Sequence, residues 1–147
     1  MKTNRPLRLG IVGCGNVLTA YGPPIQQLRA RGQAEPVLAC GRESQRDFAA
    51  AQLGTVRFTT EPEDVLRSPD VDAVVILTSM PQHGPLARAA LEAGKHVFVE
   101  KPLATSLDDA KALVELAKGS PGLLVCAPFT ILSPTFQTIS SCIRRGD

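Results

Sequence analysis

The sequence predicts an α/β fold, a doubly wound parallel sheet flanked by helices on both faces. Three observations carry this prediction. Short apolar runs alternate with amphipathic stretches along the whole chain. The run Ala73-Val74-Val75-Ile76-Leu77 is continuous and β-branched. It does not alternate, which is the pattern of a strand buried on both faces. The first apolar run, Leu7 to Val12, leads straight into the glycine turn Gly13-Cys14-Gly15 and then into a helical pattern.

The elements follow in order. Leu7 to Val12 is the first strand. A helix follows from about Asn16 to Arg31, disturbed by Gly22-Pro23-Pro24, because neither proline can donate a helical hydrogen bond. The expectation is a short first turn, a kink, and a second segment from Pro24 with Ile25 and Leu28 facing inward. Pro36 to Cys40 is the second strand. Ser44 is a suitable N-cap for a helix through Leu53, ended by Gly54. Val56 to Thr59 is a short third strand, and Glu61 to Arg67 a short helix stopped by Ser68-Pro69-Asp70. Ala73 to Leu77 is the fourth strand, His83 to Ala93 a helix ended by Gly94, and His96 to Val99 the fifth strand. Ser106 caps a helix from Leu107 to Lys118, with Asp108 and Asp109 well placed in its first turn. Leu123 to Cys126 is a sixth strand. Ser133-Pro134 opens a last amphipathic helix with Phe136, Ile139 and Ile143 on one stripe.

Composition excludes several classes. The chain has 147 residues, 44% hydrophobic and 20% charged, with a formal net charge of +2. That describes one ordinary globular domain, residues 1–147, long enough for a sizeable core. Acids and bases are interspersed, so no nucleic-acid partner is expected. No apolar run approaches the roughly 18 residues of a membrane span, and no signal-peptide pattern follows the basic N-terminus. The reading is a cytoplasmic protein with no membrane partner. Cys14, Cys40, Cys126 and Cys142 form no C-x-x-C pair, so no metal site is expected, and Cys14, Cys40 and Cys126, at or just beyond the ends of apolar strands, read as buried reduced thiols.

Four places carry chemistry. Gly13-Cys14-Gly15-Asn16-Val17-Leu18 stands where a dinucleotide fingerprint would stand, between a strand and a helix. Gly13 permits the tight turn and Gly15 lets the backbone approach a pyrophosphate. The N–H groups of Asn16 and Val17 would point at the phosphates, helped by the helix dipole. Leu18 replaces the third glycine of the fingerprint, a position that mainly sets helix–strand packing. The fold class sharpens accordingly to a Rossmann-type sheet.

The second place is the end of the second strand. An acid there binds the ribose 2′-hydroxyl of NAD, whereas an arginine suits a 2′-phosphate. Here Gly41 stands where the acid is expected and Arg42 follows, which favours NADP with NAD as the alternative. Glu43 argues the other way if its carboxylate reaches the ribose. The third place, Thr78-Ser79-Met80-Pro81-Gln82-His83, follows the fourth strand. Thr78 and Ser79 would contact the nicotinamide half, with His83 close by. The fourth is Glu100-Lys101-Pro102 after the fifth strand, where Lys101 could exchange a proton with a substrate oxygen.

Together these residues resemble the glucose–fructose oxidoreductase / inositol dehydrogenase / MocA family (Gfo/Idh/MocA). The resemblance runs from Leu7 to Gly146 and is most specific in Ala93-Gly94-Lys95-His96-Val97-Phe98-Val99-Glu100-Lys101-Pro102. It implies that Lys101 is the catalytic lysine, that Glu100 and Pro102 shape the cofactor site, and that the Lys101–Pro102 bond is cis. It implies hydride transfer between NAD(P) and a hydroxyl-bearing carbon of a sugar or cyclitol substrate. It also implies a C-terminal substrate domain, which usually forms the oligomer interface. Three departures stand out. Ser79 and Met80 replace the proline and asparagine common after the fourth strand, and the acid after the second strand is missing. No second domain follows the helix ending Ile143-Arg144-Arg145-Gly146-Asp147. The expectation is a cofactor domain without its substrate domain, inactive alone and able to form a homo-oligomer. Two other readings stay open: a non-catalytic nucleotide-binding or sensing module acting with a partner chain, and a structural remnant that binds nothing.

Overall fold

Six strands form one parallel sheet in the order β3-β2-β1-β4-β5-β6. They are β1 (Leu7–Val12), β2 (Ala34–Cys40), β3 (Arg57–Thr59), β4 (Ala73–Ile76), β5 (His96–Val99) and β6 (Leu124–Cys126). The connecting helices are α1 (Leu18–Ala30), α2 (Arg46–Leu53), α3 (Pro62–Leu66), α4 (Met80–Glu92) and α5 (Leu107–Gly119), and α6 (Pro134–Arg145) ends the fold. The structure, a computed structural model, describes residues 5–127, 131 and 133–146. Asp147, which the sequence reading placed at the end of the last helix, lies outside the described residues, as do residues 1–4 of the basic N-terminus.

Strand alternation sorts the sheet's side chains into two cores. On one face Val12, Val74, Ile76, Val97 and Val99 pack against Val65 and Leu66 of α3, Ala87, Ala90 and Leu91 of α4, and Leu113 of α5. On the other, Leu9, Ile11, Ala39, Ala73 and Val75 pack against Leu18 and Ile25 of α1 and Ala49 and Leu53 of α2. All four residues of β4 are buried, as its unbroken apolar run predicts.

The two faces are not equally covered. On the α1–α2 face an apolar hollow of about 570 Å³ remains over β4, β5 and β6, lined by Leu9, Tyr21, Leu28, Val75, Phe98 and Val125 among others. Leu28 was expected to face inward beside Ile25. Ile25 is 5% exposed but Leu28 is 38% exposed, because it sits on the flank of α1 that borders this hollow. Helix α6 keeps the expected stripe of Phe136, Ile139 and Ile143, and none of its described residues is buried. No helix among the described residues is long and apolar enough to cross a membrane.

Three local expectations change. Helix α1 runs unbroken through Pro23 and Pro24, with no separate second segment. The carbonyls that lose a donor belong to Thr19 and Ala20, two exposed residues on the solvent side of the helix start, where a missing helical N–H costs least. Ser44 caps nothing. The chain first makes a turn of 3₁₀ helix at Glu43–Gln45, and the Gln45 carboxamide reaches back to accept from the Arg42 N–H at 2.9 Å. Helix α4 begins at Met80 with Ser79 extended before it, three residues earlier than expected. Pro81 is tolerated there because first-turn N–H groups have no helical acceptor. Ser106 caps α5 as expected, accepting from the Asp109 N–H at 3.1 Å.

Candidate functional site

The site is built at the carboxyl ends of β1, β2, β3 and β4, beside the point where strand order reverses between β1 and β4. A cleft of about 570 Å³ lies there. Of the residues singled out from sequence, Gly13, Gly15, Gly41, Arg42, Thr78 and Ser79 line it.

The two glycines of the turn act differently. Gly13 has φ +104°, and a Cβ on it would lie 2.6 Å from the Leu77 carbonyl carbon. Its N–H donates to the Cys40 carbonyl at 2.9 Å, which bends β1 toward the end of β2. Gly13 is therefore required by the fold. Gly15 is different: a Cβ there would meet only the Gln45 carboxamide, at 3.9 Å. The space above it is open cleft. The amides of Gly15, Asn16 and Val17 donate to no backbone carbonyl among the described residues, whereas those of Leu18, Thr19 and Ala20 turn back onto residues 15–17. Three N–H groups at a helix start, next to an open glycine, fit a phosphate. Asn16 and Val17 are exposed at this end of α1. Leu18 is fully buried, the packing role expected for the fingerprint position it occupies.

Charge favours an anion. Among the described residues lining the cleft, Arg42 is the only charged one, and its guanidinium makes no ion pair among the described residues. Glu43, the counterargument from sequence, is held instead by Arg46 at 2.7 and 2.9 Å, and this contact lowers its pKa. Gly41 leaves no room for a side chain. A Cβ there would sit 2.8 Å from Gln45 Oε1 and 3.0 Å from Cys14 Cβ. Burial raises the Cys14 thiol to about 12 and the Cys40 thiol to about 11, so both stay protonated and serve as packing. Cys126 was expected to be buried and is half-buried at the short edge strand β6.

The loop after β5 lies beside the cleft. Glu100 is half-buried and its two oxygens are both engaged: Tyr21 Oη donates to one at 3.0 Å and the Lys101 N–H to the other at 2.6 Å. Tyr21 also packs edge-on against Phe98, with ring centroids 5.7 Å apart. Burial, then the Glu100 carboxylate, pushes the tyrosine pKa up, so it remains a donor. Lys101 and Pro102 are exposed and the bond between them is cis. His83 stands behind the wall of the cleft. It is 1% exposed, with Nδ1 2.7 Å from the Pro102 carbonyl and Nε2 3.0 Å from the Thr78 carbonyl. Burial in the first turn of α4, the consequence of that helix starting at Met80, keeps the ring out of the cleft lining.

Four lining residues, Gln45, Thr60, Pro62 and Leu86, lie outside the places singled out from sequence, and Gln82 lies inside one of them without a stated role. Gln45 carried a signal, its place three residues after Arg42, from which a side chain reaches back to the N–H that opens a helical turn. Thr60 follows the end of β3 and could have been found from the rule that ligands sit beyond strand carboxyl ends. Leu86 carried none, because an apolar residue mid-helix reads as core.

Known proteins share this fold. Residues 7–126 match a family described as "Oxidoreductase family, NAD-binding Rossmann fold". The chain is 37% identical over 140 residues to the uncharacterized oxidoreductase YdgJ of Escherichia coli, covering 95% of this chain and 39% of that protein. It is 36% identical over 104 residues to scyllo-inositol 2-dehydrogenase (NAD(+)) of Bacillus subtilis, covering 71% of this chain and 25% of that protein. Its structure superposes on the WlbA dehydrogenase of Bordetella pertussis in complex with NADH and UDP-GlcNAcA with a TM-score of 0.89 and 30% identity, covering 99% of this chain and 42% of that one. The chain thus spans two fifths or less of the length of these curated relatives.

Proposed function

The chain belongs to the Gfo/Idh/MocA oxidoreductase family, and from that premise we propose that it supplies the NADP(H)-binding half of an oxidoreductase acting on a sugar- or cyclitol-like hydroxyl or carbonyl. The observation that carries the reading is the cleft at the β1/β4 switch point, open above Gly15, lined by Arg42 as its one described charge and flanked by the Lys101 loop. When bound, a nicotinamide cofactor supplies the hydride acceptor or donor.

The chain's own residues divide the remaining work. The Gly15, Asn16 and Val17 amides hold the phosphates. Arg42 pairs with a 2′-phosphate, for which Gly41 leaves the approach uncluttered by a carboxylate. Thr78 and Ser79 border the nicotinamide half. Lys101 Nζ takes the hydroxyl proton as the substrate carbon is oxidised and returns it in the reverse direction. Glu100 fixes the backbone of that lysine through the bond to its N–H. The remaining walls of a substrate pocket lie beyond these residues, so the domain is proposed to bind cofactor and to turn over little alone.

Arg42→Ala tests the cofactor assignment. Titrations followed by nicotinamide fluorescence are expected to show roughly tenfold weaker NADPH binding, with NADH binding unchanged, because only the former carries the phosphate that Arg42 meets. Equal loss for both cofactors, or tighter binding of NADH by the unsubstituted chain, would overturn the choice of NADP.

A further inference from the structure

We infer that His83 is a positioning residue: a buried bracket that sets the spacing between the Thr78-Ser79 loop and the Lys101 loop, and so the nicotinamide end of the cleft. The inference rests on the cofactor reading above. Strands β4 and β5 are joined by their ladder up to the bond from the Glu100 N–H to the Ile76 carbonyl, at 3.0 Å. Beyond that rung no backbone hydrogen bond links the two loops among the described residues. The imidazole of His83 spans the gap, with one nitrogen on the carbonyl of Thr78 and the other on the carbonyl of Pro102.

Both partners are carbonyl oxygens, which only accept. A neutral ring, with its single N–H, donates to one of the two, and the doubly protonated ring donates to both. The ring is 1% exposed, so both of its nitrogens face protein and not solvent. The bracket acts on Lys101 from the α4 side of the sheet. From the α1 side, Tyr21 holds Glu100, and Glu100 holds the Lys101 N–H. The lysine backbone is thus fixed from both layers. The ring itself reaches no ligand; its effect passes through Thr78 and Pro102.

The test separates the two halves of the cofactor. NADPH is titrated against 2′-phospho-ADP-ribose, which lacks the nicotinamide. Phenylalanine at 83 keeps an aromatic ring and removes both ring nitrogens. His83→Phe is expected to weaken NADPH roughly tenfold while leaving 2′-phospho-ADP-ribose within about twofold, and to shift the backbone amide resonances of Glu100 and Lys101 before any ligand is added. Asparagine places its amide nitrogen near the Nδ1 position, facing Pro102. Glutamine places it near Nε2, facing Thr78. Each variant keeps one of the two contacts, so both are expected to weaken NADPH less than His83→Phe does while leaving 2′-phospho-ADP-ribose unchanged, and a selective loss in either reads the bracket even if His83→Phe fails to fold. Equal weakening of both ligands, or no weakening of either, would overturn the bracket. If the unsubstituted chain binds neither molecule, the cofactor reading fails and the bracket falls with it. Binding of both with no selective effect at position 83 sinks the bracket alone.

Discussion

Gly13 and Gly15 show how two identical residues in one turn answer to different demands. Gly13 is held by the fold, through a left-handed φ of +104° and the nearby Leu77 backbone. Gly13→Ala is expected to lower stability by about 2–4 kcal/mol, from backbone strain together with the clash, read as a drop in the urea midpoint. Gly15 faces open cleft, so only a ligand would feel a side chain there. The spacing Gly13-x-Gly15 after a strand made this turn legible in the sequence, and the location of Lys101 after the fifth strand was legible for the same reason. Gly41 was legible only in part. The sequence shows the missing acid, but not that Gln45 and Cys14 fill the space a side chain would need. His83 could not have been placed from its chemistry. A histidine at the expected first position of a helix, just beyond the end of the fourth strand, reads as near the cleft, and only the observed start of α4 at Met80 turns the ring inward.

Elements were legible where one physical signal dominates. β4 and β5 follow from unbroken apolar runs, and α5 from the Ser106 cap with its two acids. Helix α1 was harder, because the proline pair is a strong local breaker and its tolerance depends on which carbonyls face water. The entry into α2 was missed because a side chain three residues on, not the hydroxyl of Ser44, provides the cap. The start of β4 is held by a cluster no local pattern reveals. Asp72 accepts from Arg5 at 2.6 and 3.0 Å and from the Arg8 side chain at 2.9 and 3.1 Å, pinning the beginning of β1 to that of β4. Bonds from Arg5, then Arg8, hold its carboxyl well below the ordinary carboxylate range. A depressed acid stabilises the fold above its unfolded pKa, and that stability is lost as pH falls toward the folded one. Asp72→Asn is therefore expected to melt a few degrees lower than the parent at pH 7 and still at pH 5. The gap should narrow only below about pH 4, where the unfolded carboxyl also takes up a proton. A gap that is the same at pH 3 and pH 7 would contradict the role given to the charge.

At the scale of the molecule, two cores clamp one sheet so that the loops after β1, β2, β3 and β4 converge on a single cleft, with the loop after β5 at its flank. The strand order β3-β2-β1-β4-β5-β6 places that cleft where helices leave the sheet in opposite directions, and strand–helix alternation in the sequence was enough to predict the architecture. It was not enough to predict the open apolar hollow over β4, β5 and β6, because the run of each strand reads as buried whether or not a helix covers it. The central claim is that this cleft takes a nicotinamide dinucleotide by its phosphates at the Gly15 turn. The most direct measurement is a titration of NADPH into the chain and into Gly15→Val, with thermal unfolding of both. Saturable binding by the parent, abolished in Gly15→Val with its melting temperature kept within a few degrees, is the result predicted here. Absence of binding by the parent, or equal binding by the two proteins, would contradict it.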